Sequence, residues 1–535
     1  MKNYIATLIT FFFMILNASL VFAQKSEIEM MKGMGGQGCL MCGAIGWGGM
    51  VLGTVLLLSI SVALIILPIF LIRRRRVRNR SGDLLQKNYL KNLVSLFVIF
   101  LSTSALAQME HSSQPHSQSS QKDKSEMKMK KYSYPMMASD CTEMEVFDPT
   151  MSMCMPFPME GMPMKMLMLT GNVFVVGSTS EGPRGRKQVA SPNMFMIDVG
   201  QTLGDRHYVN LDFMCTAERW TFPENGYPEL LQIGETDAKG RPYLDGQHPH
   251  SSPIMGLTLS DTIRLGNGKN YLKIFIAPRG AATDGPIAFM HRPTGITNPD
   301  APLGHHIGQD VGHISSTVLG GSLALSATRL QFSVFNGTEP EPTKVDLPIR
   351  TPNSAAFRVI QDFTPKVMGM ASVAYVKDPE GEGIEATGEN KPSKQWRLSA
   401  SAYSQHEIHP SWTLYNSLIY GYITDYEHAS ALSSVVQEFW LKGNYSRVWS
   451  RIEFVQRTAR QLEITSALEQ DAPKWVTALT LGYTYALVKI DEDEFGVGGS
   501  ITKDFLPGEF TGAYGGDPWA AKIFVQFRGM GMWHL

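Results

Sequence analysis

From Leu167 to Leu535 apolar and polar residues alternate with a period of two, and this pattern constrains the fold more than any other feature of the chain. In the closing stretch Ile523, Val525, Phe527, Gly529, Gly531, Trp533 and Leu535 share one face, while Lys522, Gln526, Arg528 and His534 share the other. In RVWSRIEFVQR, Val448, Ile452 and Phe454 oppose Arg447, Arg451, Glu453 and Arg457. In QWRLSASA, Trp396, Leu398, Ala400 and Ala402 oppose Gln395, Arg397, Ser399 and Ser401. Strands of roughly 9–11 residues are the length that crosses a bilayer at a tilt. A soluble sandwich would show shorter strands and a polar outer face. Here the polar face carries Arg and Glu and the other carries aromatics at its ends, the pattern of a watery lumen and a lipid-facing wall. The sequence therefore predicts an all-β protein, a transmembrane antiparallel β-barrel of 14–16 strands over 166–535. Its candidate strands include 310–320 and 433–445, and its long connections, 218–251 and 278–309 among them, read as extracellular loops or lumen plugs. A net charge of -1 gives no reason to expect a nucleic-acid partner.

Ahead of the barrel the chain reads as two exported modules in series. Residues 1–23 hold Lys2, an apolar run and VFA before Gln24, which is a secretory signal. Residues 24–82 read as a small membrane protein with one transmembrane helix at about 44–72. RRRR at 73–76 puts the end of that helix in the cytoplasm. Residues 83–107 form a second, internal signal, with Lys87, Lys91, an apolar run and ALA at 105–107. The simplest reading is an inner-membrane protein joined to the precursor of an exported one, by natural fusion or by the running together of two genes. A two-span membrane anchor is the alternative.

Residues 108–165 are polar and rich in Met and His, and are expected to be a disordered periplasmic segment. The stretch MSMCMPFPMEGMPMKMLM, residues 151–168, holds eight methionines, and its prolines exclude a continuous helix. Thioether sulfur is a soft donor suited to Cu(I) and, by the same softness, to Ag(I). Met151, Met153, Met155, Met159, Met162 and Met164 are the candidate ligands in this tail. The bland alternative is a flexible leader that happens to be sulfur-rich. Cys141 and Cys154 flank TEMEVFDPTMSM, and read either as a disulfide in an oxidising compartment or as two further soft ligands. The front module has the same flavour in Met34, Met41 and the Cys39–Cys42 pair.

The 13 histidines all lie beyond residue 110. DGQHPHSSPIM carries His248 and His250, and an extended His-x-His puts both rings on one side. Further on, Met290, His291, His305, His306 and His313 follow in one connection. Together these could form a copper or zinc site at one barrel mouth, or act as hydrogen-bonding groups with no metal. His313 and Ser315 form an H-x-S on a predicted strand, which resembles the dyad of lipid-modifying barrel hydrolases. That makes a lipid hydrolase a weak third reading beside metal handling and a general solute porin.

FMCTAERWTFPENGYPELLQIGET, GQHPHSSPIMGL, FMHRPTGITNPDAPLGHHIGQDVGHIS and FNGTEPEP resemble a family of bacterial outer-membrane barrels encoded beside copper-tolerance determinants. The layout is also similar to copper-resistance outer-membrane proteins of the B type. The resemblance covers about 165–535 and implies the outer membrane, outer-membrane lipid and periplasmic copper proteins as partners, and copper as the metal, without an enzymatic role. Two positions depart from the family: Cys215 stands where Gly is usual, and Ser251 where Asp is usual, which removes an expected carboxylate beside the His-x-His pair. Because a transmembrane helix cannot accompany a barrel to another membrane, cleavage after Ala107 is expected. N-terminal sequencing of the outer-membrane species should then begin at Gln108, and a start at Met1 or Gln24 would exclude that processing.

Overall fold

The computed structural model describes residues 141–535, apart from short stretches at 237–241, 251, 267, 341–344, 380–393, 427–428 and 491–492. Both signals, the helix at 44–72 and residues 108–140 lie outside the described residues.

The alternating segments do close into a barrel of sixteen antiparallel strands. In chain order the wall begins with β3 (Lys165–Ser180), β4 (Lys187–Ala190), β5 (Asn193–Leu203) and β6 (His207–Cys215). β4 and β5 count as one strand, since both pair with β3 on either side of Ser191 and Pro192. The wall continues with β9 (Ile254–Arg264), β10 (Tyr271–Gly280), β11 (Ser315–Leu325), β12 (Thr328–Asn336), β13 (Ser354–Thr364), β14 (Val367–Lys377) and β15 (Lys394–His409). It ends with β16 (Trp412–Tyr426), β17 (Ala429–Lys442), β18 (Ser446–Arg457), β19 (Lys474–Ile490), β20 (Asp493–Phe505) and β21 (Trp519–His534). β21 pairs with β3 from Ala520↔Ser180 to His534↔Met166, so no edge strand is left to aggregate.

The faces fall as the alternation demands. Ile523, Val448, Phe454, Trp396 and Leu398 are exposed on the outside, while Arg397, Arg447, Arg451, Arg457 and Gln526 are buried within. An exterior of this kind is a lipid-facing surface, and the chain is a membrane-spanning β-barrel. Connections such as 204–206, 265–270, 326–327 and 410–411 are short and lie at one end. The long ones leave the other end.

Among the described residues, three insertions enter the lumen. The first corrects the expectation of disorder up to residue 165: β1 (Glu145–Asp148) and β2 (Met153–Pro156) form a hairpin, and Cys141–Cys154 is a disulfide. The hairpin sits at the short-turn end, where Lys273 Nζ lies 2.9 Å from the Asp148 carboxylate and Lys269 Nζ donates to the Glu145 carbonyl at 2.6 Å. The second is the hairpin of β7 (Tyr227–Thr236) and β8 (Pro242–Gln247), which pair with each other and not with the wall. The third is the segment 281–314 between β10 and β11. Its Ile287, Arg292, Ala301, Leu303, Ile307 and Gln309 are buried, so this connection is a plug and not an external loop. For the same reason the strand expected at 310–320 starts only at Ser315. The strand expected at 433–445 runs over Ala429–Lys442.

Buried polar contacts tie the plug to the wall. Glu438 on β17 accepts from Arg292 Nε and Nη2 at 3.0 and 2.9 Å, from Arg451 Nε at 3.1 Å, from Thr294 Oγ1 at 2.7 Å and from Ser417 Oγ at 2.9 Å. The Glu453 carboxylate accepts the Leu303 N–H at 2.6 Å, and Arg457 donates to the carbonyls of Leu231 and Leu303. Gly308, at φ +66°, lies against the backbone of Tyr422 and Gly421, an approach that a Cβ would block.

The register of β21 gives a direct test of the lipid face. Gln526 is anchored inside by bonds to Asn172 Oδ1 at 2.8 Å and the Ile296 carbonyl at 2.9 Å, so Phe527 points outward. Phe527→Arg should cost about 2–4 kcal/mol near the midplane. Phe527→Leu should stay within about 1.5 kcal/mol. Urea unfolding of the refolded barrel in lipid reads both, and equal effects would put Phe527 on the wrong face.

Candidate metal centre in the lumen

Six histidines of the two long connections lie in the filled lumen, but they do not form the simple pair that His-x-His suggests. His248 and His250 follow β8 and face different partners. The ring of His248 lies 5.0 Å from that of His306, and the ring of His250 lies 5.4 Å from that of His313. His305 is the hub: its ring centre is 4.6 Å from His306, 5.4 Å from His313 and 6.1 Å from His248. His305 and His306 open a kinked turn, His305–Gln309, whose backbone leaves helical geometry at Ile307 and Gly308. Gly234 on β7 leaves room for the His306 ring, which a Cβ there would strike.

His248, His305 and His306 are buried, and one ring nitrogen of each lies within 4.8 Å of the others. His248 Nδ1 lies 2.9 Å from the Pro249 carbonyl, which favours the proton on that nitrogen and leaves the Nε2 lone pair inside the cluster. His248 Nε2 and His306 Nε2 are 2.9 Å apart. Imidazoles bound at 2.0–2.1 Å to a tetrahedral metal lie about 3.3 Å from one another. An opening of a few tenths of an ångström therefore converts a hydrogen-bonded pair into two ligands.

Burial sets the protonation state. It pushes His248 down to about 4 and His313 down to about 4, in the latter case against the pull of Asp310. It also lowers His305, and it lowers His306 well below the usual range, with the neighbouring rings of His305 and His248 adding to the effect. These rings are neutral at physiological pH, the protonation state that metal ligation requires.

Two carboxylates stand behind the rings. Glu218 Oε2 accepts from His250 Nδ1 at 2.5 Å and from His250 N at 3.0 Å. Asp310 lies 3.7 Å from His305 Nδ1 and 3.4 Å from His313 Nδ1, and it accepts the Phe289 N–H at 3.2 Å. Burial raises Asp310, but His313 and His305 outweigh it and hold the carboxyl at about 2. The Glu218–His250 pair is of the carboxylate–histidine kind that orients a ring and raises its basicity, whereas His313 Nδ1 bonds the Asp310 backbone carbonyl. Carboxylate support for His250 comes from Glu218, on a short helix at Glu218–Thr221 that no local motif announces.

The other site residues named from sequence divide. His291 is half-buried and makes no ring contact with the cluster among the described residues. Met153 is buried among lumen methionines, with Met151 and Met155 against them, and Met290 joins the same group. Met159 packs instead beside Val146, Phe157 and Tyr271. Met162 is exposed, and Met164, just ahead of β3, is half-buried. Met166, Met168, Met194, Met196 and Met214, outside the named set, are the larger share of the group. The H-x-S dyad does not form. His313 lies in a 3-10 turn, Val311–His313, ahead of the strand, and Ser315 Oγ donates to the Gly312 carbonyl at 3.5 Å.

Fold and site together define a plugged, membrane-spanning β-barrel with an internal histidine centre. No protein-family model matches the chain, and no curated protein does. Solved structures similar to it include OmpT, an outer membrane protein of Vibrio cholerae, at 8% identity and TM-score 0.37, covering 68% of this chain and 98% of that one. An anion-selective porin from Comamonas acidovorans is similar at 9% identity and TM-score 0.38, covering 69% and 99%. The outer membrane channel DcaP of Acinetobacter baumannii is similar at 12% identity and TM-score 0.37, covering 69% and 96%.

The depressed histidines make the metal-free fold sensitive to acid. In the unfolded chain they take up protons from about pH 6.5 downward, but in the folded one His248 and His313 do so only near 4. The unfolded state therefore binds more protons in that window. Stability should be full above about pH 6.5 and fall as the pH drops toward 4. His248→Gln with His313→Gln should flatten that slope in urea unfolding. An unchanged slope would mean the rings are not buried neutral.

Proposed function

We propose that this chain is an outer-membrane barrel that binds copper inside its plugged lumen and serves copper tolerance, as a binding or export protein and not as an enzyme. The observation that carries this reading is the triad His248, His305 and His306: three buried, neutral imidazoles with ligand atoms within 4.8 Å, on segments that fill the lumen. Burying several imidazoles together costs desolvation, and for packing alone apolar rings would serve better. A copper or zinc ion repays that cost, and imidazole suits both. The sulfur-rich wall beside the triad favours copper of the two. Outer-membrane lipid is the surrounding partner, and periplasmic copper proteins are the natural source or acceptor of the ion.

A general solute porin is the second reading. It requires a continuous aqueous path, and the inserted segments oppose this by burying residues such as Ile287, Leu303 and Ile307 across the lumen. The hydrolase reading loses its support with the dyad.

The test is metal binding by the purified full chain. One copper equivalent should be lost when His248, His305 and His306 are changed together to Ala, while the barrel still migrates as a folded species in unheated gels. Planar-bilayer recordings should show no steady open conductance. A triple variant that binds copper as the parent does, or a parent with large ohmic conductance, would overturn the proposal.

A further inference from the structure

The interior of a membrane barrel is ordinarily polar, yet one sector of this lumen is built of thioethers. Met166 and Met168 on β3, Met194 and Met196 on β5, and Met214 on β6 all point inward and are buried. The strand pairing brings them side by side: Met196 lies opposite Met214, and the partly buried Met530 of β21 packs against the group. Met153 of the disulfide-bound hairpin covers this wall from the short-turn end, with Met151 and Met155 at its margin. Met290 of the plug closes it from the other side, beside Phe289. The Phe289 ring meets His305 edge-on at 5.8 Å, so the sulfur-lined basin abuts the histidine centre.

Packing does not account for this composition. Of the thirteen buried residues in this cluster eight are Met, and none is Leu or Val. The largest buried cluster of the same barrel, around Leu230, Leu231, Ile307 and Leu432, is filled with Leu, Ile and Val and holds no Met. Met costs more side-chain entropy to order and specifies packing less well than Leu of similar volume. What Met offers and Leu lacks is a soft, polarisable lone pair that does not titrate.

We propose that this methionine basin is a second metal site, chemically separate from the imidazole centre, which takes a soft monovalent d10 cation: Cu(I), with Ag(I) as its redox-inert probe. The identification of copper as cargo rests on the function proposed above, whereas the thioether chemistry of the basin does not. Methionines on three wall strands, the hairpin and the plug belong to one buried cluster, so an ion among them would be held by the filled lumen and not by the tail alone. A hard or borderline ion such as Zn(II) gains little from thioether and stays with the histidines.

The experiment is titration of the purified full chain with Ag(I), in a background where Cys39, Cys42 and Cys215 are changed to Ser so that no free thiol competes. Changing Met166, Met168, Met194, Met196 and Met214 together to Leu should weaken Ag(I) binding by at least about tenfold, the lower end of what loss of a single supporting group costs a metal site. Zn(II) binding should be unchanged. A second variant, Met153→Leu with Met290→Leu, alters only the hairpin and the plug and leaves barrel closure untouched. It should weaken Ag(I) binding in the same direction. The variant with His248, His305 and His306 changed to Ala should keep the Ag(I) site, so its behaviour separates failure of the histidine centre from failure of the basin. If the Leu variants bind Ag(I) as tightly as the background protein, the basin is packing and the proposal falls.

Discussion

The structure turns on one buried carboxylate. Glu438 projects from β17 into the lumen and is fully enclosed, which no isolated anion would tolerate. It is held by Arg292 of the plug and Arg451 of the neighbouring strand, with Thr294 and Ser417 completing its hydrogen bonds. Removing one partner from such a group strands a charge and costs about 3–5 kcal/mol. The contact therefore makes the plug part of the barrel's folded state. Asp300 repeats the device nearby: it accepts Lys522 Nζ at 2.5 Å and Tyr227 OH at 2.7 Å, and so links the plug to β21 and to the inner hairpin.

Once the plug is fixed, the chemistry of the lumen follows. The segments that carry His248, His305 and His306 cannot swing out to solvent, so the rings stay dry and neutral. Glu218 orients His250, and Asp310 lies 3.7 Å from His305 Nδ1, so polar contacts tie both connections to the histidine centre. A barrel with an open lumen would hydrate the same histidines and lose that arrangement. The Cys141–Cys154 disulfide serves the opposite end by holding the hairpin that brings Met153 onto the wall.

Much of the barrel was legible in the sequence because membrane strands obey a strict period. Gln526 and Phe527 differ by one position and point to opposite solvents, and the alternation alone assigned both. The same holds for Arg447, Arg451, Glu453 and Arg457 on β18. The histidines were legible as candidates, since six of them crowd into two connections. Glu218 and the inward methionines of β5 and β6 were not singled out, whereas Met166 and Met168 of β3 stood out as part of the sulfur-rich stretch 151–168. A glutamate in AERW looks like any surface glutamate, and methionines spaced two apart on a strand look like ordinary wall residues until neighbouring strands place them together.

The sequence by itself determined the alternation, hence the closed antiparallel barrel, its inner and outer faces and its number of strands to within two. Those follow from local physics, because each residue on a membrane strand answers only to the solvent on its own side. Only the tertiary structure decided that the long connection 281–314 folds inward, that His248 meets His306 while His250 turns to Glu218, and that the sulfur-rich leader becomes a lid. Such contacts join residues as far apart as Arg292 and Glu438. They depend on closure of the whole ring, and no period in a linear chain encodes them.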